Sequence, residues 1–302
     1  MRKYGLFLIL LASFVSADRG MLPVLPNVSI YEPGQKAIIG WNGKQEVMIL
    51  AVDAYADTEC KVLEILPLPS EPKIEKADIK SFEAIQELIA KHAPISLYRG
   101  KGLIIAPPGK TPGVEILFHK KIGAHNITCA KALKYQEFVD WIYKFTKSQG
   151  IDTISLPPGL PHIIKGYLGR EIPYFVFDII ELDKKTSSVA PLRYEFASPY
   201  LFFPLCISRL AKGDTKIQLF LLTEHPPWIG AGNIFKYGRY RVVGEETEII
   251  FELTKDEIRT IEPSFVKLLP KDKWLTALTF EGPTLELRED LNLRKFYKII
   301  EY

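Results

Sequence analysis

The sequence predicts an α+β fold of mostly antiparallel sheets with a few packed helices, laid out as two subdomains. Three observations predict it. Apolar runs of strand length come in pairs joined by turn signals, apolar stripes at helical spacing are few, and no internal repeat with a fixed period is visible. Paired strands with scattered helices read as α+β rather than as alternating strand–helix units.

The elements follow in order. Arg2 and Lys3 precede an apolar stretch from Leu6 to Leu11 that extends through Phe14 and Val15, then Ser16-Ala17 and the charged pair Asp18-Arg19. A basic start, a short apolar core and small residues at −3 and −1 make an export signal. That core is too short to span a bilayer, which takes about twenty apolar residues. Residues 1–17 are therefore expected to be a signal peptide cut after Ala17, placing the protein outside the cytoplasmic membrane, secreted or at the cell surface.

Ala37–Trp41 and Glu46–Leu50 flank Asn42-Gly43, a pair that tolerates positive φ, and predict a hairpin. The run Val62–Leu66 reads as a strand halted by Pro67 and Pro69. Asp78 caps a helix with Ile79, Phe82, Ile85 and Leu88 on one face. Val114–Lys120 and Ala124–Ala130 predict a second hairpin around Lys121-Ile122-Gly123. The long helix is expected over about 134–149, with a stripe of Tyr135, Phe138, Trp141, Ile142 and Phe145 and with Gly150 at its end. The Pro/Gly loop from Ile151 to Pro161 divides an N-terminal α+β subdomain (18–155) from a C-terminal strand-rich one (156–302). Strands are expected at 174–182, 192–197, 216–223, 240–243 and 248–253. Thr254–Glu257 forms a capping box for a short helix stopped by Pro263. Strands at 274–280 and 284–287 close the chain.

Composition narrows the function classes. Of 302 residues, 47% are hydrophobic and 25% charged, as in a globular protein. The 39 basic residues less Arg2 and Lys3 leave 37 against 36 acidic ones, a mature net charge near +1. That balance argues against a nucleic-acid partner. No second apolar stretch approaches spanning length, so no transmembrane helix is expected after signal cleavage. Five Asn and six Gln, against abundant Lys, Glu and Ile, are a thermophile-like bias. Cys60, Cys129 and Cys206 lie far apart; three buried thiols, or one bridge and a free thiol, both fit. Asn27 and Asn126 stand in glycosylation sequons, and Asn27, in a Pro-bounded loop, is the better placed.

Several segments carry a family resemblance. They run from Gln35–Ile39 through the hairpin to Val52-Asp53, then Leu66–Ser70, Val139-Asp140-Trp141, Tyr174-Phe175-Val176, Pro191-Leu192, Phe196–Pro199, Leu275–Leu278 and Glu289-Asp290-Leu291. Together, over about residues 30 to 295, they resemble an uncharacterised exported-protein family of bacteria and archaea, domain of unknown function 2330. The resemblance implies export and a shared fold. It implies no activity and supplies no catalytic residues.

Residues that could carry chemistry fall in three places. In the second hairpin, a three-residue loop would pair His119 with His125 and Glu115 with Cys129 on one face, a set of zinc-type ligands in which only the two histidines are close enough to share an ion. Asp53, Asp57 and Glu59 cluster as oxygen ligands would for calcium, without the glycine and spacing of an EF-hand. Glu224, His225 and Trp228 place an acid, a base and an aromatic at a strand end, where ligand sites often form. His162 reads as a helix-start residue. Phosphate-loop and serine-nucleophile motifs are lacking, and no cofactor is expected. Two functions remain. One is an exported, non-catalytic envelope or secreted binding module with an unknown envelope or extracellular partner. The alternative is an exported hydrolase, with or without a metal, drawing on these acids and histidines.

Overall fold

The computed structural model describes residues 22–23, 30–56, 60–92, 114–122, 125–151, 156–182, 189–211, 213–230, 233–242 and 245–293. Two sheets face each other. The first has β1 (Leu22–Pro23), β4 (Cys60–Leu68), β8 (Tyr174–Leu182), β7 (His125–Ala132) and β6 (Val114–Ile122), in that order and all antiparallel. The second runs β12 (Lys236–Tyr237), β16 (Lys273–Pro283), β11 (Asp214–Thr223), β2 (Ile30–Trp41), β3 (Gln45–Ala56), β9 (Leu192–Ala197) and β5 (Lys73–Lys76), with β15 (Ile250–Leu253) also on β16. Its one parallel pairing is β11 with β2. Two small ribbons complete the strands: β10 (Phe202–Phe203) with β17 (Leu291–Asn292), and β13 (Arg239–Val242) with β14 (Glu245–Glu248).

Strand alternation sorts the apolar side chains into three buried layers. Ile39, Met48, Leu50, Tyr194 and Leu219 from the second sheet meet Leu66, Ile127, Cys129 and Val176 from the first. The outer face of the first sheet, with Leu63, Phe175 and Phe177, packs on α2 (Tyr135–Ser148) and α3 (Leu160–Leu168). Trp141 of α2 stands edge-on to Phe177 at 5.1 Å and stacks on Phe145 at 4.9 Å. The outer face of the second sheet, with Ile38, Val47 and Ile49, packs on α1 (Lys80–His92), α4 (Lys255–Ile261) and α5 (Pro263–Leu268). The order is helices, sheet, sheet, helices, an α+β fold of largely antiparallel strands.

The local signals act as the chemistry requires. Asp78 Oδ1 accepts from the Lys80 N–H, 3.0 Å, at the start of α1. At the end of α2, Gly150 takes φ 76°, and the N–H groups of Gly150 and Ile151 reach the carbonyls of Lys147 and Thr146. The capping box at Thr254 has both of its hydrogen bonds, and Pro263, which stops α4, occupies the first turn of α5.

Several features differ from the sequence expectations. The first hairpin closes with four residues, Asn42 to Gln45, between the Trp41–Glu46 pair; only Gly43 has positive φ (92°), while the Asn42 Oδ1 accepts from the N–H groups of Lys44 and Gln45. Pro67 does not stop its strand: β4 continues to Leu68, with Pro67 opposite Phe175 where β8 is the one described neighbour, the edge-like setting in which a strand tolerates proline. The stretch 284–287 holds a 3₁₀ turn instead of a strand, pinned where the Thr284 N–H and hydroxyl bond the Gly213 and Ala211 carbonyls. Finally, strands from both sides of residue 155 share both large sheets, with β8 between β4 and β7 and β9 beside β3. The Pro/Gly stretch at 156–161 is a connection inside this layered assembly and leads into α3.

Candidate functional site

The β6–β7 hairpin determines where its histidines point. Ile122 pairs with His125 and His119 with Thr128, so the strands are joined by two residues rather than three. This register is offset by three residues from the one the glycine predicts, and an odd offset turns one strand's side chains to the other face. His119 and His125 therefore do not face each other and cannot share an ion. His119 Nδ1 lies 2.7 Å from the Thr128 hydroxyl, and burial lowers its pKa. A bulge between Ile116 and Phe118 pairs Glu115 with Lys131 and Cys129 with Phe118.

His125 instead enters the space between the sheets. Its Nδ1 makes a short hydrogen bond with Asp178 Oδ2, and its Nε2 lies 2.7 Å from the Ala190 carbonyl. A carbonyl only accepts, so Nε2 carries a proton. Asp178 of β8 pairs directly with Glu64 of β4, which brings a second carboxylate to the same face. His125, Asp178 and Glu64 are 5%, 1% and 3% exposed. Beside them is a cavity of about 10 Å³ lined by Glu64, His125, Leu50, Val52 and Tyr194, room for one water. Asp178 Oδ1 has no hydrogen-bond partner among the described residues. The Asp–His pair can exchange a proton, but among the described residues the space beside it holds no more than a water.

A larger concavity lies on the other face of the second sheet. A cleft of about 280 Å³ is bounded by the Asn42–Gln45 loop, β5, β9 and α5. Its walls are tied together. The Asn42 side-chain amide donates to the Leu268 carbonyl, 3.4 Å, and α5 sits directly on β2, where a Cβ on Gly40 would fall 2.7 Å from the Phe265 ring. Arg193 of β9 points into the cleft and donates to Glu195, 3.0 Å, and to Glu75. Glu75 also pairs with Lys73 at 3.0 Å, and the bonds from Arg193 and Lys73 hold its carboxyl at about 2. Lys267 and Ser264 project from α5.

The chain matches, over residues 19–242, the family described as "Uncharacterized protein conserved in bacteria", domain of unknown function 2330. The chain belongs to this family. The family match takes in His125, Asp178, Glu64 and the strand side of the cleft; Ser264 and Lys267 lie beyond it. No curated protein matches the chain. Among solved structures it is similar to a mutated baculovirus P35 after caspase cleavage, at 8% identity and TM-score 0.40 over 87% of this chain and 100% of that one. It is also similar to a chain of the caspase-8/P35 complex, at 7% identity and TM-score 0.37 over 86% of this chain and 95% of that one. Likeness this slight has no bearing on function.

Among the described residues, the other sequence-predicted side chains of this family member do not converge. Asp53 pairs in β3 with Gly34, while Asp57, Glu59 and Asn27 lie outside the described residues. Glu224 forms an ion pair with the buried Lys273 at 2.6 Å, and this bond lowers its pKa. Trp228, 46% exposed, lies over Gly230, and the Tyr237 hydroxyl bonds the Pro227 carbonyl and the Ile229 N–H on either side of it. His225 and His162 are exposed. Asn126 pairs with strands on both sides and has a buried side-chain oxygen, a poor acceptor for a glycan. Cys129 and Cys206 are free thiols. Burial pushes the Cys206 pKa up to about 12 and raises that of Cys129. Among the described residues, no group of three or more His, Cys, Asp and Glu could hold a metal ion, and no helix is long and apolar enough to cross a membrane.

The buried acids had a faint signal in the sequence. Glu64 and Asp178 are single carboxylates inside the apolar runs Val62–Leu66 and Phe175–Ile180. A lone charge in a strand apolar on both faces must be buried with a partner.

Proposed function

We propose that this chain is an exported protein, secreted or held at the cell envelope, that works as a non-catalytic binding or interaction module. The observation that carries this reading is the division between the two polar sites. Among the described residues, the Asp178–His125 pair lies between the two sheets beside a cavity of only about 10 Å³, whereas the larger cleft, about 280 Å³, is lined by Arg193 and Lys73, both held in ion pairs, with Ser264 and Lys267 on its α5 wall and no acid–base pair like that of Asp178 and His125. The export signal at residues 1–17 supports a role outside the cytoplasmic membrane.

The Asp178–His125 contact also favours a second reading, an exported hydrolase, because it is the orienting half of an acid–base set. One experiment separates the two. The purified chain is incubated with peptide, ester, glycoside and phosphoester substrates, with and without zinc or calcium. The binding reading expects no turnover above buffer. Turnover that is lost in His125→Asn, with the fold intact by circular dichroism, would replace it with the hydrolase.

A further inference from the structure

The cleft bounded by the Asn42–Gln45 loop, β5, β9 and α5 carries a chemical signature of its ligand, an inference that rests on the binding reading above. We propose that it takes a small organic anion bearing carboxylate or phosphate groups. Three cations line it, Lys73 from β5, Arg193 from β9 and Lys267 from α5; Glu195 on the lining and Glu75 beside it balance Arg193 and Lys73, so Lys267 is the charge in excess. Arg193 is only 8% exposed and is held in place by Glu75 and Glu195, so it is a fixed floor with N–H donors beyond those two bonds.

The α5 wall is uncommitted. Lys267 is exposed and makes no ion pair among the described residues. Ser264, three residues earlier and so on the same helix face, has a buried hydroxyl with no hydrogen-bond partner among the described residues. Donors thus outnumber acceptors, the balance that oxyanions satisfy with charge-assisted hydrogen bonds. A neutral ligand would leave the Lys267 ammonium unpaired, and a cationic one would be repelled by it. The volume lies at the small end of ligand sites, which run from roughly 300 Å³ upward.

The test is calorimetric titration of the full chain with citrate, inorganic phosphate, glucose and spermidine. Saturable binding of citrate or phosphate is expected. It should weaken at least tenfold in Lys267→Glu and remain unchanged in Lys144→Glu, which reverses an exposed charge on α2 in the opposite outer layer. Both positions are exposed, so both variants should melt as the parent does. Citrate without phosphate identifies carboxylate as the ligand chemistry, and phosphate without citrate identifies phosphate. Failure of both anions to bind, or equal loss in the two variants, overturns the proposal. Glucose binding that Lys267→Glu weakens would overturn the anion class and leave the binding reading standing, whereas substrate turnover would overturn that reading itself.

Discussion

At the scale of single residues, the carboxylates divide into two kinds with opposite pH signatures. Glu46 is fully buried on β3; burial raises its pKa well above the usual range, and the Phe202 N–H, 2.7 Å from Oε2, offsets only part of that. A raised carboxyl contributes stability that is fully present below its unfolded value and is lost as pH rises through the folded one. Glu257 behaves in the opposite way. Burial alone would raise it, but hydrogen bonds from Lys91, the Thr254 N–H, His92 and the Thr254 hydroxyl hold it at about 2. Its contribution is present above about 4.5 and is lost as pH falls toward 2. Glu46→Gln keeps the acceptor for Phe202 without the buried charge. It should raise stability at pH 8 by about 2 kcal/mol, with little change at pH 4, and leave the acid limb in place. Urea unfolding at both pH values checks this; equal stability at pH 8 would mean that Glu46 is not held neutral.

At the scale of elements, what depends on neighbours in sequence was legible and what depends on distant pairing was not. The hairpin at Asn42-Gly43, the cap at Asp78, the capping box at Thr254 and the glycine end of α2 each involve residues a few positions apart. Each stands where its chemistry directs, although the first hairpin closes with four residues rather than with the Asn-Gly pair alone. The β6–β7 register did not follow from its glycine, because the strand face is chosen by β8, which pairs with β7 along seven residues and draws Ile127 and Cys129 into the core between the sheets. A choice made by a strand some fifty residues away leaves no local mark, and so the sequence alone puts the two histidines on one face. The aromatic stripe of α2 was read directly, since a helical period needs no partner to be visible. Trp141, 2% exposed and packed on Phe138, Phe145 and Phe177, anchors that helix. Trp141→Ala should cost about 3–5 kcal/mol, read as a lower urea midpoint with an unchanged slope; a loss under about 1 kcal/mol would show that the α2 layer is not part of the cooperative core.

At the scale of the whole molecule, the α+β class came through because it rests on counts of paired strands and few helices. The layering did not. β8 inserts between β4 and β7, and β11 lies parallel to β2, so both sheets are assembled from remote parts of the chain. The same long-range assembly brings Glu64, Asp178 and His125 together from three strands and sets β5, β9 and α5 around one cleft. Neither constellation has a spacing that a motif could capture. The proposed function requires that this family member be exported and present that cleft to a ligand outside the cytoplasm. Native mass spectrometry of the protein recovered from its host's cytoplasm, envelope and medium tests it most directly. The expected result is a chain beginning at Asp18 in the envelope or medium, carrying an anionic small molecule that Lys267→Glu releases. A full-length chain beginning at Met1 and confined to the cytoplasm would contradict it.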